Sequence, residues 1–453
     1  MRVSVSRWVL AVQAGLSLAL IAAASCRGDR PAGPELATLP SFAKGGGSPP
    51  KGDVTVGSTS PDSAPRNTTL TVTISGSGFE QGSRAILALN GDTTFATTKI
   101  RTNSTTFVSS SQVRASITIG GDAPVDQYDV QVVTLSGRKG IGIELFTVTY
   151  EVIDLGAGDG SASVAINARG QIVGVTPAGS FIWENGVIRQ LAAPVGFSSW
   201  RAEDINSNGV VVGYGQNSSG ASQAIIWTAA GGARVLAGSL GGSFTLARRI
   251  NDQGLIVGEA GVPGGGAAHT VVWENEIIRD VQAFATGSTY PWGLSNSGIV
   301  VGQWNPTEAG FSWTASGGMA LMAGLDGPAD IPLAVNDYGQ IVGWYRRTST
   351  DPTAFLWVNG VITDLGTLGG SQSVALGINN VGQVVGRSQI GAPRRVNAPF
   401  HAFLWTAGGG MRDLGTLPGR DYAAATDIND GGMVVGQTWP GSGLSRATLW
   451  KVK

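Results

Sequence analysis

The chain has few of the side chains that most often perform chemistry. Its 453 residues include one cysteine and two histidines, and only 13% of the residues are charged. A single cysteine excludes an internal disulfide, and without cysteine pairs or closely spaced histidines zinc has no ligand set. We therefore expect neither a cofactor nor a metal. With 30 basic and 31 acidic residues, the chain also lacks the excess of positive charge typical of nucleic-acid binding.

Glycine, in contrast, is abundant. The chain contains 69 glycines, and its charged fraction is low. Because glycine tolerates positive φ angles, this composition favours an all-β protein with many tight turns. The length is ample for two domains after removal of an N-terminal leader.

Residues 1–25 are predicted to be a signal peptide. A basic start is followed by a largely apolar stretch that ends in small residues. Cys26 follows Ala23-Ala24-Ser25, which resembles the lipobox of bacterial lipoprotein signals. The resemblance implies that Cys26 is lipidated and anchors the protein in the bacterial cell envelope, at the outer membrane or the cell surface. The alternative is cleavage by an ordinary signal peptidase, which would leave a secreted protein.

Residues 26–52 are predicted to be a flexible tether. They contain five prolines and the run Gly45-Gly46-Gly47 but few bulky apolar residues. Fully extended at roughly 3.3 Å per residue, the segment would reach on the order of 80 Å. Such a tether would hold a folded domain away from a membrane. A membrane, bound through the lipid anchor, is therefore one expected partner of the protein.

Residues 53–148 are predicted to form a β-sandwich. Leu70, Val72 and Ile74 alternate with threonines, which is the period of a half-buried strand. Short strands separated by glycine-containing turns over this length favour two packed sheets. Further candidate strands lie at 85–89, 113–119 and 128–135.

Three elements of this segment carry a family resemblance. They are Ser60-Pro61, the stretch Leu-Thr-Val-Thr-Ile-Ser-Gly-Ser-Gly-Phe at 70–79 with Gly82, and Tyr-Asp-Val-Gln-Val at 128–132. In these elements the segment resembles the IPT/TIG family of immunoglobulin-like domains. The resemblance implies an immunoglobulin-like fold that acts as a spacer or as a binding module.

An octet with the pattern Asn-x-x-Gly-x-x-Val-Gly recurs seven times, and a tryptophan follows each copy. A period of about forty residues indicates a closed ring or a stacked array. The octets begin at Asn167, Asn206, Asn251, Ser295, Asn336, Asn379 and Asn429. Their tryptophans are Trp183, Trp227, Trp273, Trp313, Trp357, Trp405 and Trp450.

Each repeat is predicted to contribute four short antiparallel strands, as a propeller blade does. The octet asparagine is expected to open a tight turn, and the first glycine to take the left-handed conformation. The β-branched residues that follow indicate a buried strand, and the closing glycine indicates close backbone approach. The periodic tryptophans are expected to pack between blades.

The phase of the repeats predicts ring closure. The last repeat stops without its outer strand, whereas the array begins at Tyr150 with that strand and no octet before it. If 152–155 pairs beside 447–450, the last blade is complete and its edge is covered. The predicted fold of 150–453 is therefore a seven-bladed β-propeller closed by an N-terminal strand and preceded by the immunoglobulin-like β-sandwich.

Motifs in the last two repeats carry a second resemblance. They are His-Ala-Phe-Leu-Trp at 401–405, Asp-Leu-Gly-Thr-Leu at 413–417 and Asp-Leu-Gly-Thr-Leu-Gly-Gly at 364–370. In these motifs the chain resembles the HAF family of extracellular repeat proteins, over about 150–453. The resemblance implies an exported bacterial protein and no particular activity.

Several polar residues recur in equivalent slots. His269 and His401 each lie four residues before a tryptophan, in repeats too far apart on a ring to share a metal. A set of strand-end aspartates would either form a ring of carboxylates or bond to the backbone of their own turns, and the second interpretation is favoured. These aspartates are Asp154, Asp280, Asp364 and Asp413.

Two further sets of charged residues stand near the octets. Asp204 and Asp427, two residues before their octets, are weaker candidates for a carboxylate site than the strand-end aspartates. Three pairs of adjacent arginines are expected to be solvated. The pairs are Arg248-Arg249, Arg346-Arg347 and Arg394-Arg395.

Aromatic residues outside the repeat form the candidate ligand surface. They flank different octets in neighbouring repeats, and aromatic residues in loops on one face of a ring can bind a ligand. The candidates are Tyr290, Trp292, Trp304, Trp344 and Tyr345.

These observations favour a non-catalytic, membrane-tethered binding or adhesion module that presents propeller loops to a glycan or protein partner. One alternative is an extracellular polysaccharide hydrolase or lyase with carboxylates in the propeller funnel, since a glycosidase needs two carboxylates roughly 5–10 Å apart. The other is a purely structural envelope component. We expect a monomer that binds no nucleic acid.

Overall fold

The computed structural model describes residues 53–452 except 96–98, 285, 306, 323, 325–329, 347–350 and 392–397. The signal peptide, Cys26 and the whole predicted tether lie outside the described residues. Strands are the only regular elements in the described ranges, which include no helix that could span a membrane. Contacts divide this part of the chain between Thr149 and Tyr150 into two units.

The first unit consists of eight strands in two four-stranded sheets. The strands are β1 (Thr55–Ser60), β2 (Ser63–Pro65), β3 (Thr69–Ser77), β4 (Arg84–Leu89), β5 (Ile100–Ser109), β6 (Gln112–Ile119), β7 (Gln127–Val133) and β8 (Lys139–Thr149). One sheet has the order β1-β3-β6-β5 and the other has the order β2-β8-β7-β4. Neighbouring strands are antiparallel except for β2 and β8, which are parallel.

The two sheets of this unit share one hydrophobic core. Val72 and Ile117 enter it from the first sheet, and Val130 and Phe146 enter it from the second. The strands predicted from alternating apolar residues are present as β3, β4, β6 and β7. The pattern does not predict β5, because this edge strand is rich in Ser, Thr and Asn and buries few of its side chains.

The second unit contains seven four-stranded antiparallel sheets that follow one another along the chain. Sheets 1 to 3 contain β10 (Ala162–Ile166), β11 (Ile172–Thr176), β12 (Gly179–Glu184), β13 (Val187–Leu191); β14 (Phe197–Ile205), β15 (Val211–Asn217), β16 (Ser222–Thr228), β17 (Gly232–Val235); and β18 (Thr245–Ile250), β19 (Ile256–Gly261), β20 (Ala268–Glu274), β21 (Ile277–Asp280). Sheets 4 to 6 contain β22 (Ser288–Leu294), β23 (Val300–Asn305), β24 (Ala309–Thr314), β25 (Gly318–Leu321); β26 (Ile331–Val335), β27 (Ile341–Tyr345), β28 (Thr353–Val358), β29 (Val361–Asp364); and β30 (Gly369–Ile378), β31 (Val384–Ile390), β32 (Phe400–Thr406), β33 (Gly410–Asp413).

The seventh sheet joins the two ends of this unit. It contains β34 (Tyr422–Ile428), β35 (Met433–Trp439), β36 (Arg446–Lys451) and, as its outer strand, β9 (Glu151–Asp154). Val152 pairs with Trp450, and the N–H of Leu155 donates to the carbonyl oxygen of Ala447 at 3.0 Å. The expected pairing of 152–155 beside 447–450 is therefore observed.

Each octet forms the turn between the first and second strands of its sheet. In sheet 1, the side-chain Oδ1 of Asn167 accepts the backbone N–H groups of Arg169 and Gln171, both at 3.0 Å. Gly170 has a φ of 80°, and the first glycine of each of the remaining six octets also has a positive φ. The turn predicted from the octet is confirmed.

The octet asparagines also link neighbouring sheets. Asn167 donates from Nδ2 to the backbone oxygen of Asn206 at 2.9 Å, and Asn429 donates to the backbone oxygen of Asn167 at 3.0 Å. Six of the seven octets make this bond, and Ser295, which has no amide, is the exception. We call this set of six bonds the asparagine belt. Because sheet 7 is bonded to sheet 1 as sheet 1 is to sheet 2, the contacts between sheets run around a closed circuit.

The closing glycine of each octet lies against the first strand of its own sheet. A Cβ atom on Gly213 would lie 1.9 Å from the carbonyl oxygen of Arg201, and one on Gly343 would lie 1.9 Å from that of Ile331. Any side chain would push the two strands apart, so the close backbone approach predicted for this glycine is confirmed.

Periodic tryptophans bond to the sheet before their own. The Nε1 of Trp273 donates to the carbonyl oxygen of Ala237, and that of Trp450 donates to Gly415, both at 3.1 Å. Both side chains are fully buried. Packing between sheets, the role expected of the periodic slot, is confirmed at these two positions.

Candidate functional site

Two cavities lie inside the second unit, and residues from all seven sheets line each of them. One is at the octet turns, and the other is at the opposite ends of the first strands. The two cavities share the lining residues Val164, Arg249, Leu333, Leu376 and Thr426. These five residues form a waist between the two ends of one central channel.

The channel end opposite the octets is rich in arginine. Its lining includes Arg201, Arg249, Arg346 and Arg387, and the described residues that line it include no aspartate or glutamate. The cavity encloses about 1040 Å³ of space between protein atoms, part of it open to solvent. We call this end the arginine mouth. A cluster of cations with low-dielectric walls attracts and concentrates anions.

The arginine mouth also collects buried polar atoms that have no hydrogen-bond partner in the described structure. Among all the described residues, six buried side-chain atoms lack a partner, and five of these atoms belong to residues that line the mouth. They are Ser163 Oγ, Trp292 Nε1, Arg346 Nε, Arg387 Nε and Gln437 Oε1. A buried polar atom without a partner costs about 1–3 kcal/mol, so such atoms normally meet a ligand or a water.

Arg387 is the most informative of these residues. Burial lowers the pKa of its guanidinium to about 10, and no carboxylate opposes the shift. Its guanidinium carbon lies 5.1 Å from the ring centre of Phe400, and that of Arg346 lies 5.0 Å from the ring centre of Trp344. Stacking covers a guanidinium face and leaves the N–H groups at its edge free to meet an anion.

Arg201, by contrast, is held by a buried acid. Its Nε donates to Oε1 of Glu203 at 2.7 Å, and Glu203 is 1% exposed. In the neighbouring sheet, the Nε of Arg248 donates to Oε1 of Glu259 at 2.8 Å. Burial alone would lower the pKa of Arg248, but the charges of Glu259 and Glu203 outweigh it, so the pKa is raised.

The expectation that the arginine pairs are solvated is wrong for Arg248. Arg248 is 4% exposed, and Arg249 and Arg346 line the channel. Arg248 and Arg249 lie in β18, the first strand of sheet 3. The other members, Arg347, Arg394 and Arg395, lie outside the described residues.

On the other side of the waist, the lining includes five aspartates, of which Asp204 and Asp427 lie on innermost strands. Asp204 accepts the backbone N–H of Ile205 at 2.8 Å and, from the next sheet, that of Ile250 at 2.9 Å. Asp427 makes the same two bonds, to Ile428 and, in sheet 1, to Ile166. Each carboxyl group therefore ties two neighbouring inner strands together.

These two carboxyl groups have altered acidities. Burial raises the pKa of Asp204 to about 7 and that of Asp427 to about 6. The charge of Arg249 and the backbone N–H groups act against both shifts but do not cancel them. Arg249 occupies the equivalent position in sheet 3, so the channel near the waist carries two acids and one base.

The predicted ligand surface is divided by the structure. Trp292 and Trp344 line the arginine mouth and are each 4% exposed, and the ring centre of Tyr290 lies 6.2 Å from that of Trp292. Trp304 instead stacks on Phe284, with ring centres 4.5 Å apart. Tyr290, Trp292 and Trp304 belong to sheet 4, and Trp344 belongs to sheet 5.

Tyr345 does not join the mouth either. Its hydroxyl donates to Oδ2 of Asp364 at 3.0 Å, and its ring meets Phe355 edge-on. Tyr345 directly follows Trp344 in β27, and successive strand residues point to opposite faces. The structure therefore brings Trp292, Trp344 and Tyr290 together and places Trp304 and Tyr345 elsewhere.

The strand-end aspartates bond to the backbone of their own turns, as favoured from the sequence. Asp154, Asp280, Asp364 and Asp413 each accept, through Oδ1, the N–H of the residue two positions later. Through Oδ2, Asp280 and Asp413 meet the Nδ1 atoms of His269 and His401 at 2.8 and 2.7 Å. The two histidines are thus separate, each with its own aspartate. Within the described ranges, no group of three or more His, Cys, Asp or Glu side chains is arranged to hold a metal.

Sequence comparisons identify no family for this chain. No protein-family model matches it, and no curated protein matches it. Comparison of the fold finds solved structures of low identity, among them a Bacteroides thetaiotaomicron protein of unknown function. That structure has a TM-score of 0.35 and 9% identity, covering 89% of this chain and 99% of its own.

Two further solved structures are of named proteins. Virginiamycin B lyase from Staphylococcus aureus has a TM-score of 0.46 and 12% identity, covering 67% of this chain and 99% of its own. TolB from Acinetobacter baumannii has a TM-score of 0.34 and 11% identity, covering 57% of this chain and 65% of its own. At these values no residue role or activity is transferred to the chain.

Proposed function

We propose that this protein is a non-catalytic binding module whose ligand is anionic and occupies the arginine mouth. The single observation that carries the proposal is the state of Arg387, whose Nε is buried without a partner and whose charge is not balanced by a carboxylate. A buried, unpaired cation is costly, and an anionic ligand would balance it.

The proposed scaffold is a seven-bladed β-propeller closed by β9 and preceded in the sequence by an immunoglobulin-like sandwich. Seven four-stranded sheets, the pairing of β9 with β36 and the asparagine belt support the propeller. Two packed sheets with a shared core support the sandwich. In this scaffold the mouth is one end of the propeller channel, a place where ligands are commonly bound.

The proposed setting is the bacterial cell envelope. The lipobox-like residues before Cys26 support a lipid anchor at the outer membrane or cell surface, and the proline-rich tether would let the module reach outward. The HAF-type motifs at 364–370 and 401–405 support export. A secreted, unanchored form is the alternative.

Binding is favoured over polysaccharide cleavage by where the carboxyl groups lie. The described residues that line the arginine mouth include none, and Asp204 and Asp427 lie beyond the waist. Each of these two accepts two backbone N–H groups that tie sheets together. A general acid or nucleophile needs a carboxyl group that can reach the substrate.

A thermal-shift panel tests the proposed function. The full-length chain, in detergent-free buffer at constant ionic strength, is heated with carboxylates, sulfate and phosphate. At least one anion should raise the melting temperature, because binding to the folded state stabilises it. Arg387→Gln should abolish that rise.

The matched control is Arg189→Gln. Arg189 also stacks on a tryptophan, with its guanidinium carbon 4.8 Å from the ring centre of Trp227, but it lies on the outer strand β13. It should leave the anion response unchanged. A panel without any shift, or a shift retained in the Arg387 variant, would refute the proposed function.

A further inference from the structure

We infer that the ligand of the arginine mouth is a monocarboxylic acid with an apolar body, whose carboxylate meets Arg346 and Arg387 while its body lies on Trp292, Leu333 and Leu376. The inference rests on the proposed function and narrows it to one chemical class. It follows from which arginines are free, how they are oriented and what covers the rest of the wall.

Two of the four arginines are already engaged. Arg201 is bonded to Glu203 at 2.7 Å. Arg249 lies at the waist, where it donates to the carbonyl oxygen of Arg248 at 2.9 Å and interacts with the charges of Asp204 and Asp427. Arg346 and Arg387 are the two whose Nε atoms are buried without a partner in the described structure.

One acid lies near enough to Arg346 to be influenced by it. Burial raises the pKa of Glu308, and the charge of Arg346 only partly opposes that shift. Glu308 is not among the residues that line the mouth. Glu308 therefore interacts with Arg346 from outside the lining of the mouth.

Each of these two guanidinium groups has an aromatic ring beside it. Phe400 covers one face of Arg387, and Trp344 covers one face of Arg346. Aromatic stacking fixes the plane of a guanidinium and directs its N–H groups outward along the edge. A planar carboxylate matches this edge through two parallel hydrogen bonds, which is the strongest pairing available to arginine.

The wall next to these arginines is apolar. Trp292, Leu333, Trp344 and Val374 belong to one buried cluster, and Leu376 packs against it. Ala162, Val164 and Pro352 extend the apolar lining of the mouth. Such a surface gains free energy from covering carbon atoms rather than hydroxyl groups.

A sugar acid fits this wall less well. Its several hydroxyl groups would each need a partner. Besides the arginines, the unpaired polar atoms of the described lining are Ser163 Oγ, Trp292 Nε1 and Gln437 Oε1, which are too few and too scattered among apolar side chains to pair with every hydroxyl of a sugar. A hydroxyl group that leaves water for a surface of leucine and tryptophan, without a new hydrogen bond, lowers the binding affinity.

A calorimetric series with the full-length chain tests the inference. Acetate, butyrate and hexanoate share one carboxylate and differ in apolar length, hexanol keeps the body without the charge, and glucuronate carries the charge on a sugar. The dissociation constant should fall by about fourfold per added methylene. Hexanol should not bind, and glucuronate should bind no better than acetate.

Variants separate the two halves of the site. Arg346→Gln and Arg387→Gln should weaken hexanoate at least about tenfold, whereas Arg189→Gln should not change it. Leu333→Ala keeps all the arginines, so it should weaken hexanoate several-fold and leave acetate unchanged. This variant preserves the test if an arginine variant fails to fold.

Other results would refute either the apolar-acid inference alone or the proposed anion site as well. Equal binding of acetate and hexanoate, or tighter binding of glucuronate, would overturn the apolar-acid inference and leave the proposed anion site standing. Hexanol binding as tightly as hexanoate would also overturn it. If no anion binds at all, both the inference and the proposed function fail.

Discussion

The side-chain amide of Asn429 donates a hydrogen bond to the backbone oxygen of Asn167, 3.0 Å away and 262 positions apart in the sequence. This bond connects the last sheet to the first. The same bond recurs between other successive octets, so one residue type closes its own turn with Oδ1 and holds the neighbouring sheet with Nδ2. The belt is complete except at Ser295, between sheets 4 and 5.

The gap in the belt predicts a stabilising substitution. Ser295 already accepts the N–H of Ile299 through its hydroxyl, as the asparagine Oδ1 does elsewhere. Ser295→Asn should keep that bond and add a donor toward the backbone oxygen of Asn336, for a gain of about 0.5–1.5 kcal/mol. A raised denaturant midpoint with an unchanged slope would support this. A lowered midpoint would contradict it.

The reverse substitution tests the closure itself. Asn429→Ser should remove the bond to Asn167, whose carbonyl oxygen would keep only the N–H of Gly170 at 3.0 Å. The unfolding free energy should fall by about 0.5–1.5 kcal/mol, the net contribution of one hydrogen bond. Asn217 offers a matched control, since its Oδ1 accepts the N–H groups of Ser219 and Ala221 in the same kind of turn. Its Nδ2 reaches Gln223 of its own sheet. Equal losses for Asn217→Ser and Asn429→Ser would mean that the link between sheets contributes nothing.

The pairing of β9 with β36 predicts a specific cross-link. Glu151 and Lys451 are register partners. In a chain that also carries Cys26→Ser, cysteines at 151 and 451 should form a disulfide on oxidation and raise stability by about 2–4 kcal/mol. A cysteine pair at 151 and 446, outside the paired register, is the control. Peptide mapping should find the first cross-link and not the second; the opposite result would refute the register.

The channel carboxyl groups predict a pH dependence. Burial raises the pKa of Asp204 to about 7 and that of Asp427 to about 6, from an ordinary value of 3.8. The folded state therefore binds more protons than the unfolded state across this range. The stability that these groups contribute is fully present below about pH 4 and is lost as the pH rises through 6 and 7.

Asp204→Asn should flatten that dependence. The variant will be less stable overall, because Asp204 uses one oxygen for each of two backbone N–H groups and an amide replaces one of these acceptors by an NH2 donor. Its denaturant midpoint should nevertheless fall less than that of the wild type between pH 4.5 and 7.5. Asp53→Asn, at an exposed position, is the control and should follow the wild type. A slope unchanged by Asp204→Asn would contradict the assignment.

The repeated parts of the fold were predictable because each obeys a local rule. The octet turn needs a left-handed glycine, and Gly170 has one; the closing glycine needs clearance, and Gly213 has it. The order of strands within each sheet and the pairing of β9 also followed from the period. The donation from Nδ2 to the next sheet was not predicted, because it depends on how sheets lie side by side.

The candidate site was only partly predictable. Trp292 and Trp344 were expected to contact a ligand and do line the mouth, but Trp304 and Tyr345 could not be separated from them by spacing alone. Arg387 drew no attention because a lone arginine in a strand is usually a solvated edge residue. It lies in β31, one of the two middle strands of its sheet, and its place in the mouth is set by the arrangement of the sheets rather than by its neighbours in sequence.

The most direct test of the ligand assignment is a crystal structure of the full-length chain with 4-bromobenzoate, whose bromine gives an anomalous signal. We expect one strong bromine peak inside the arginine mouth, near Leu333 and Leu376, with the carboxylate against Arg346 and Arg387. Bromine peaks confined to the outer surface, with the mouth holding only water, would contradict it.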